Sequence, residues 1–88
     1  MEKLKDSIEL RNIGYPVTAT IIIRTRKKAM YYRSDGCYEV FKIVIAPAQI
    51  VFGKSYPKRE VYPGNEDFGF TAWCFHDETT AYKKYKEI

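Results

Sequence analysis

The side chains with the strongest intrinsic chemistry gather near the end of the chain. Cys74, His76 and Asp77 fall within four residues; Cys37 is the other cysteine and His76 the only histidine. A thiol beside an imidazole is the start of a nucleophilic site, because the imidazole can hold the thiolate. The same pair is also half of a soft-metal donor set. Neither chemistry is completed. A structural zinc site takes four ligands in paired spacings, and Cys37, Cys74 and His76 are the only good ones. Residues 74 and 76 lie side by side on one face of a strand, which does not aim both groups at one reacting carbon. Glu66 and Asp67 in "NEDFG" offer two carboxylates, weak ligation for a divalent cation. The expectation is a non-enzymatic protein with no catalytic residue, no metal and no cofactor, a thiol or metal site being the alternative.

Binding chemistry is richer. "RTRKKAMYYR", Arg24 to Arg33, holds five cations and two tyrosines in ten residues. Cations suit phosphates, and aromatic rings suit unpaired bases, each stacked base contributing about 1–3 kcal/mol. The charge is unevenly spread. Residues 1–59 carry +7, residues 60–78 carry −5 and residues 79–88 carry +2, for a net +4. A basic body with one acidic segment points to recognition by charge, or to pairing between the two zones. The expected nucleic-acid-binding set is Arg24, Arg26, Tyr31, Arg33, Tyr38 and Lys42. The alternative is a protein-binding or inhibitory loop over 60–73, with Tyr62, Glu66, Asp67 and Phe68 as its contact residues. No helix-turn-helix or zinc-finger spacing is present, nor the glycine-aromatic signature of common RNA-binding sheets. The longest aliphatic runs, "III" and "IVIA", fall far short of the ~20 residues a membrane span needs. No membrane partner is therefore expected. No secretory leader is read in "MEKLKDSIEL", and the two cysteines read as reduced thiols of a cytoplasmic protein. A single disulfide of a small secreted domain is the alternative. Nothing in the sequence sets the oligomeric state.

Certain elements must position these groups. The 88 residues are read as a single α+β domain over 1–88. Its expected architecture is a small antiparallel sheet of three or four strands around a hairpin, with a C-terminal helix packed on it. Leu4, Ile8 and Ile13 near helical spacing suggest a short N-terminal helix ending at Gly14. "VTATIIIRTR" alternates as a strand with one dry face. Asp35-Gly36 predicts a two-residue hairpin turn, with Ser34 opposite Cys37, Tyr31 opposite Val40 and Met30 opposite Phe41. Met30, Phe41, Ile43 and Ile45 then share the core face. A bulge near Lys27-Lys28 is needed to bring Ile21 and Ile23 to that face and the cations and tyrosines to the other. Residues 47–69 read as a long irregular segment, with Pro63-Gly64 as a type II turn and a short helical turn or strand at 50–52. "FTAWCFH" reads as a further strand. Asp77 is the expected N-cap of a helix over 78–87, with lysines in its last turns to match the dipole.

Overall fold

The computed structural model describes residues 1–10 and 14–88. In chain order the strands are β1 Ser7–Leu10, β2 Val17–Arg24, β3 Lys28–Arg33, β4 Tyr38–Lys42, β5 Val44–Ala46, β6 Gln49–Val51, β7 Lys54–Tyr56, β8 Arg59–Val61 and β9 Ala72–Phe75. A 3-10 turn covers Asn65–Asp67, and helix α1, Glu78–Glu87, ends the chain. The main sheet is antiparallel with order β1-β2-β3-β4-β9; β5-β8 and β6-β7 form two separate ribbons. The architecture is thus α+β, with five strands in the main sheet.

Helix α1 begins where its sequence says it should. The Asp77 carboxylate accepts the backbone N–H of Thr80 at 2.9 Å, and Lys84 and Lys86 occupy the last turn. Ten residues are too few for a stable isolated helix. Ala81 and Tyr85, buried against Met30 and Val40, supply the packing that holds it.

The central hairpin corrects the expected register. Asp35-Gly36 does turn the chain, but within a three-residue loop, Ser34 to Gly36. Arg33 N–H donates to Cys37 O at 2.7 Å and Gly36 N–H to Arg33 O at 3.0 Å, with Gly36 at φ +96°. A turn closed by a left-handed glycine adds one residue to the loop. Tyr31 therefore opposes Glu39, Met30 opposes Val40 and Ala29 opposes Phe41. The bulge is also elsewhere. Ile21 pairs with Tyr31 and Ile23 with Met30, so Ile22 is the extra residue and β2 changes faces there, not at Lys27-Lys28.

With this register both faces of the sheet are covered. On one, Ala19, Ala29, Tyr31, Phe41 and Ala72 are buried beneath Leu4, Tyr62 and Phe68. On the other, Met30 and Val40 lie under α1. Three consecutive residues are buried in β3 and again in β4, a pattern that a sheet with one wet face does not produce. Each large apolar side chain buried here contributes about 1.5–3 kcal/mol.

Two further expectations are corrected. The N-terminal helix is replaced, over the described residues, by β1, which pairs Ile8 with Ala19 and Leu10 with Val17 on the open edge of β2. Its burial alternates along Ser7–Leu10, and a ladder partner outweighs weak helical spacing in so short a segment. Residues 11–13, where that helix was to end, lie outside the described residues. Gly64 has φ −88°, so Pro63-Gly64 is not a type II turn; Gly64 instead caps the 3-10 turn.

Residues 44–61, whose part beyond Pro47 is expected to be irregular, form an arm. β5 and β8 make its root and β6 and β7 its distal hairpin. Pro47 and Pro57 both fall between the Ala46–Arg59 and Gln49–Tyr56 pairs, where neither can donate to a ladder. Every residue from Pro47 to Lys58 is exposed. No helix among the described residues is long and apolar enough to cross a membrane.

Candidate nucleic-acid interface

The six residues expected to share a basic-aromatic face do not share one. Tyr31 is wholly buried. Its ring lies between Phe41 and Tyr62, at centroid distances of 5.7 and 5.3 Å, and its hydroxyl donates to Lys5 O at 2.7 Å. Burial raises its pKa. Arg24 makes two hydrogen bonds to the buried Glu60 carboxylate, at 2.7 and 2.8 Å. Arg33 is held by Asp35, with Nε donating at 3.0 Å, and lies 3.9 Å from Glu39. Tyr38 is half-buried on the opposite side of the sheet, its ring 4.8 Å from that of Tyr32. Lys42 and Arg26 are exposed. The one-residue shift at the hairpin is the cause, because it puts Tyr31 and Tyr38 on opposite sides of the sheet.

The acidic aromatic loop is mostly half-buried, with Glu66 and Phe70 exposed. Tyr62 donates its hydroxyl to Glu39 Oε1 at 2.7 Å, and Phe68 packs into the first core. Asp67 Oδ2 accepts Gly64 N–H at 2.9 Å; Glu66 is exposed. The chemistry around these acids is internal. Burial raises the pKa of Glu39, and burial beside Glu39 raises that of Tyr62. Arg24 holds the Glu60 carboxyl down at about 2.

Cys37 Sγ lies 3.7 Å from His76 Nδ1. Cys74 is exposed, and its thiol is raised by partial desolvation and by the neighbouring Cys37, which disfavours its thiolate. Among the described residues no three Cys, His, Asp or Glu side chains are arranged to hold a metal ion.

Other cations are brought together. At the end of the sheet formed by the β2–β3 connection, Arg26 and Lys27 are exposed and Lys28 lies directly opposite Lys42. Backbone bonds fix this corner: Ile43 N–H to Lys27 O and Lys42 N–H to Thr71 O, both at 2.8 Å. α1 delivers its last turn to the same place. Lys28 Nζ donates to Tyr85 O at 2.6 Å and sits 4.6 Å from the Tyr85 ring centroid. Lys84 Nζ lies 4.3 Å over the Trp73 ring. Phe70, next to Thr71, is 78% exposed.

The ion pairs among the described residues are Arg24–Glu60, Arg33–Asp35 and Arg33–Glu39. None involves a cation of this corner. Like charges directly opposed across a ladder disfavour the fold, so Lys28 and Lys42 are placed at a cost. The opposite end of the strands carries Asp35, Asp77 and Glu78 at the hairpin and the start of α1.

The arm springs from the basic corner: Ile43 follows Lys42 and leads directly into β5. From Val40 to Arg59 the sequence contains no acid and four cations, Lys42, Lys54, Lys58 and Arg59. Glu2 and Glu60 meet it only at the root, and Glu60 is neutralised by Arg24. The tip is a two-residue turn with Phe52 at φ +51° and Gly53 at φ +75°. That is the type I′ pattern, for which Asn or Gly is the usual first residue. Phe52 is fully exposed and Ile50 is 75% exposed. Sequence reasoning missed the arm as a site. The signal that could have found it is the acid-free run, together with two prolines flanking Phe52-Gly53.

Comparison with protein-family models, curated proteins and solved structures finds no match to this chain.

Proposed function

We propose that the protein is a small non-enzymatic nucleic-acid-binding module whose contact surface is the basic corner of the sheet together with the arm rooted beside it. The reading rests on one observation above all. Arg26, Lys27, Lys28 and Lys42 meet at one end of the sheet beside the last turn of α1, which carries Lys84, Lys86 and a single acid, Glu87, and none of these cations has a carboxylate partner among the described residues. Such a concentration is relieved by a polyanion, which exchanges mutual repulsion for phosphate contacts and releases condensed counterions. Exposed Phe70 at the rim supplies an aromatic surface beside the cations. The contacts are to phosphates, so little sequence readout is expected of them.

Fluorescence anisotropy of a labelled oligonucleotide against salt tests this. With about four phosphates neutralised, a fourfold rise in salt weakens binding on the order of a hundredfold. Lys27→Glu/Lys42→Glu, at two exposed positions, should cut affinity at least about tenfold and flatten the salt slope, with an unchanged circular dichroism spectrum. Affinity independent of salt, or unaltered in the double variant, refutes the reading.

A further inference from the structure

The tip of the arm carries an aromatic ring that no described residue covers, on a backbone that does not suit it. A bulky residue at positive φ is strained, and Asn or Gly would make the same turn at less cost. Backbone strain of this kind accompanies functional positions. An isolated two-stranded hairpin is marginal in water, and this one leaves Ile50, Val51, Phe52 and Tyr56 exposed. The surface around the ring selects an anionic partner: Lys54 lies opposite Val51 beside the tip, Lys58 and Arg59 line the return strand, and no acid lies between Val40 and Arg59.

We propose that Phe52 is a wedge that enters the base stack of a nucleic-acid duplex from the minor groove, carried there by the distal hairpin. This rests on the nucleic-acid reading above and specifies the form of ligand that the arm takes. Minor-groove proteins insert single apolar side chains between base steps and kink the duplex, with cations on the flanking phosphates. The arm has that composition in that order. A single-strand site would instead need several rings spaced along a track for successive bases. Here one ring stands at an apex, and Tyr56, the other aromatic of the distal hairpin, belongs to its stem. The break at Pro47 and Pro57 leaves the hairpin attached by two unpaired connections, which lets it seat in a groove without disturbing the sheet.

The experiment uses the whole chain and a mixed-sequence duplex of about two helical turns, with a fluorescence donor and acceptor at its ends and 2-aminopurine at internal steps. Binding of the wild-type chain should raise energy transfer between the ends and brighten 2-aminopurine, the signatures of bending and unstacking. Phe52→Asn, which suits the turn better than the native residue, should keep binding within about tenfold and keep its salt dependence while losing both signals. Phe52→Leu, still an apolar wedge, should retain a large part of both. The wedge is refuted if Phe52→Asn bends the duplex as the wild type does. It is equally refuted if the wild type binds without bending or unstacking, or prefers a single strand of the same sequence. Absence of binding by wild type and variant alike, to duplex and single strand at low salt, would overturn the nucleic-acid reading itself, and the wedge with it.

Discussion

Two buried glutamates in this small protein respond to pH in opposite senses, and the difference lies in their neighbours. Glu60 receives two hydrogen bonds from Arg24 and one from the Leu4 backbone N–H at 3.0 Å, so its carboxylate is favoured in the folded state. Its folded pKa, about 2, lies below the ordinary 4.5. The stability it contributes is fully present above pH ~4.5 and is lost as pH falls from there towards 2, at most about 3 kcal/mol. Glu39 has its pKa raised, chiefly by burial, despite Tyr62 and the nearby Arg33. Its charge therefore costs stability at neutral pH, and the cost disappears as pH falls to the unfolded value. Glu60→Gln should destabilise by about 2–3 kcal/mol at pH 7, a deficit that shrinks below pH ~4.5. Glu39→Gln keeps an oxygen to accept the Tyr62 hydroxyl and removes the buried charge. It should be neutral or stabilising at pH 7 and lose any advantage in acid. Urea unfolding of the two variants across pH 2–7 checks both signs.

At the scale of elements, the central hairpin decides which side chains meet. Gly36 at φ +96° closes the three-residue loop, and the space around its Cα is open, so substitution there acts through the backbone. Gly36→Ala should cost about 1 kcal/mol or more in thermal unfolding, whereas a register set by a two-residue turn at 35–36 with equivalent flanks would shift instead. The same hairpin shows where legibility stopped. Asp35-Gly36 announces a reversal, but the dipeptide serves two loop lengths, and one residue of difference sends Tyr31 into the core and its neighbours to new partners. The α+β architecture, β2, the region of β9, and α1 with its Asp77 cap were readable, because alternation, capping and dipole matching are local signals. The covering of both sheet faces was not. It depends on Leu4, Tyr62 and Phe68 arriving from distant parts of the chain. The arm was hidden by its own prolines, which read as loop although they separate two ribbons. The proposed site inherits these failures: of the six residues first grouped, only Arg26 and Lys42 reach the basic corner.

At the scale of the whole molecule, extents of 45 × 30 × 22 Å describe an elongated body. Cations lie at one end of the strands and at the arm, and several acids lie at the other end, an arrangement that turns the basic end towards a polyanion on approach. Residues 47–58 of the arm contribute no buried residue. Replacing residues 47–58 by Asn-Gly, which joins the Ala46–Arg59 pair through a two-residue turn, should leave cooperative unfolding intact and the midpoint within a few degrees of wild type. Loss of a cooperative transition in calorimetry would show that the arm is part of the core after all. The paired prolines carry a consequence for how this chain can change over time. They uncouple the tip from the sheet, so mutational drift in the nine residues they isolate is not screened by foldability. The distal hairpin is an exchangeable cassette, free to acquire a different specificity while the scaffold that presents it stays the same.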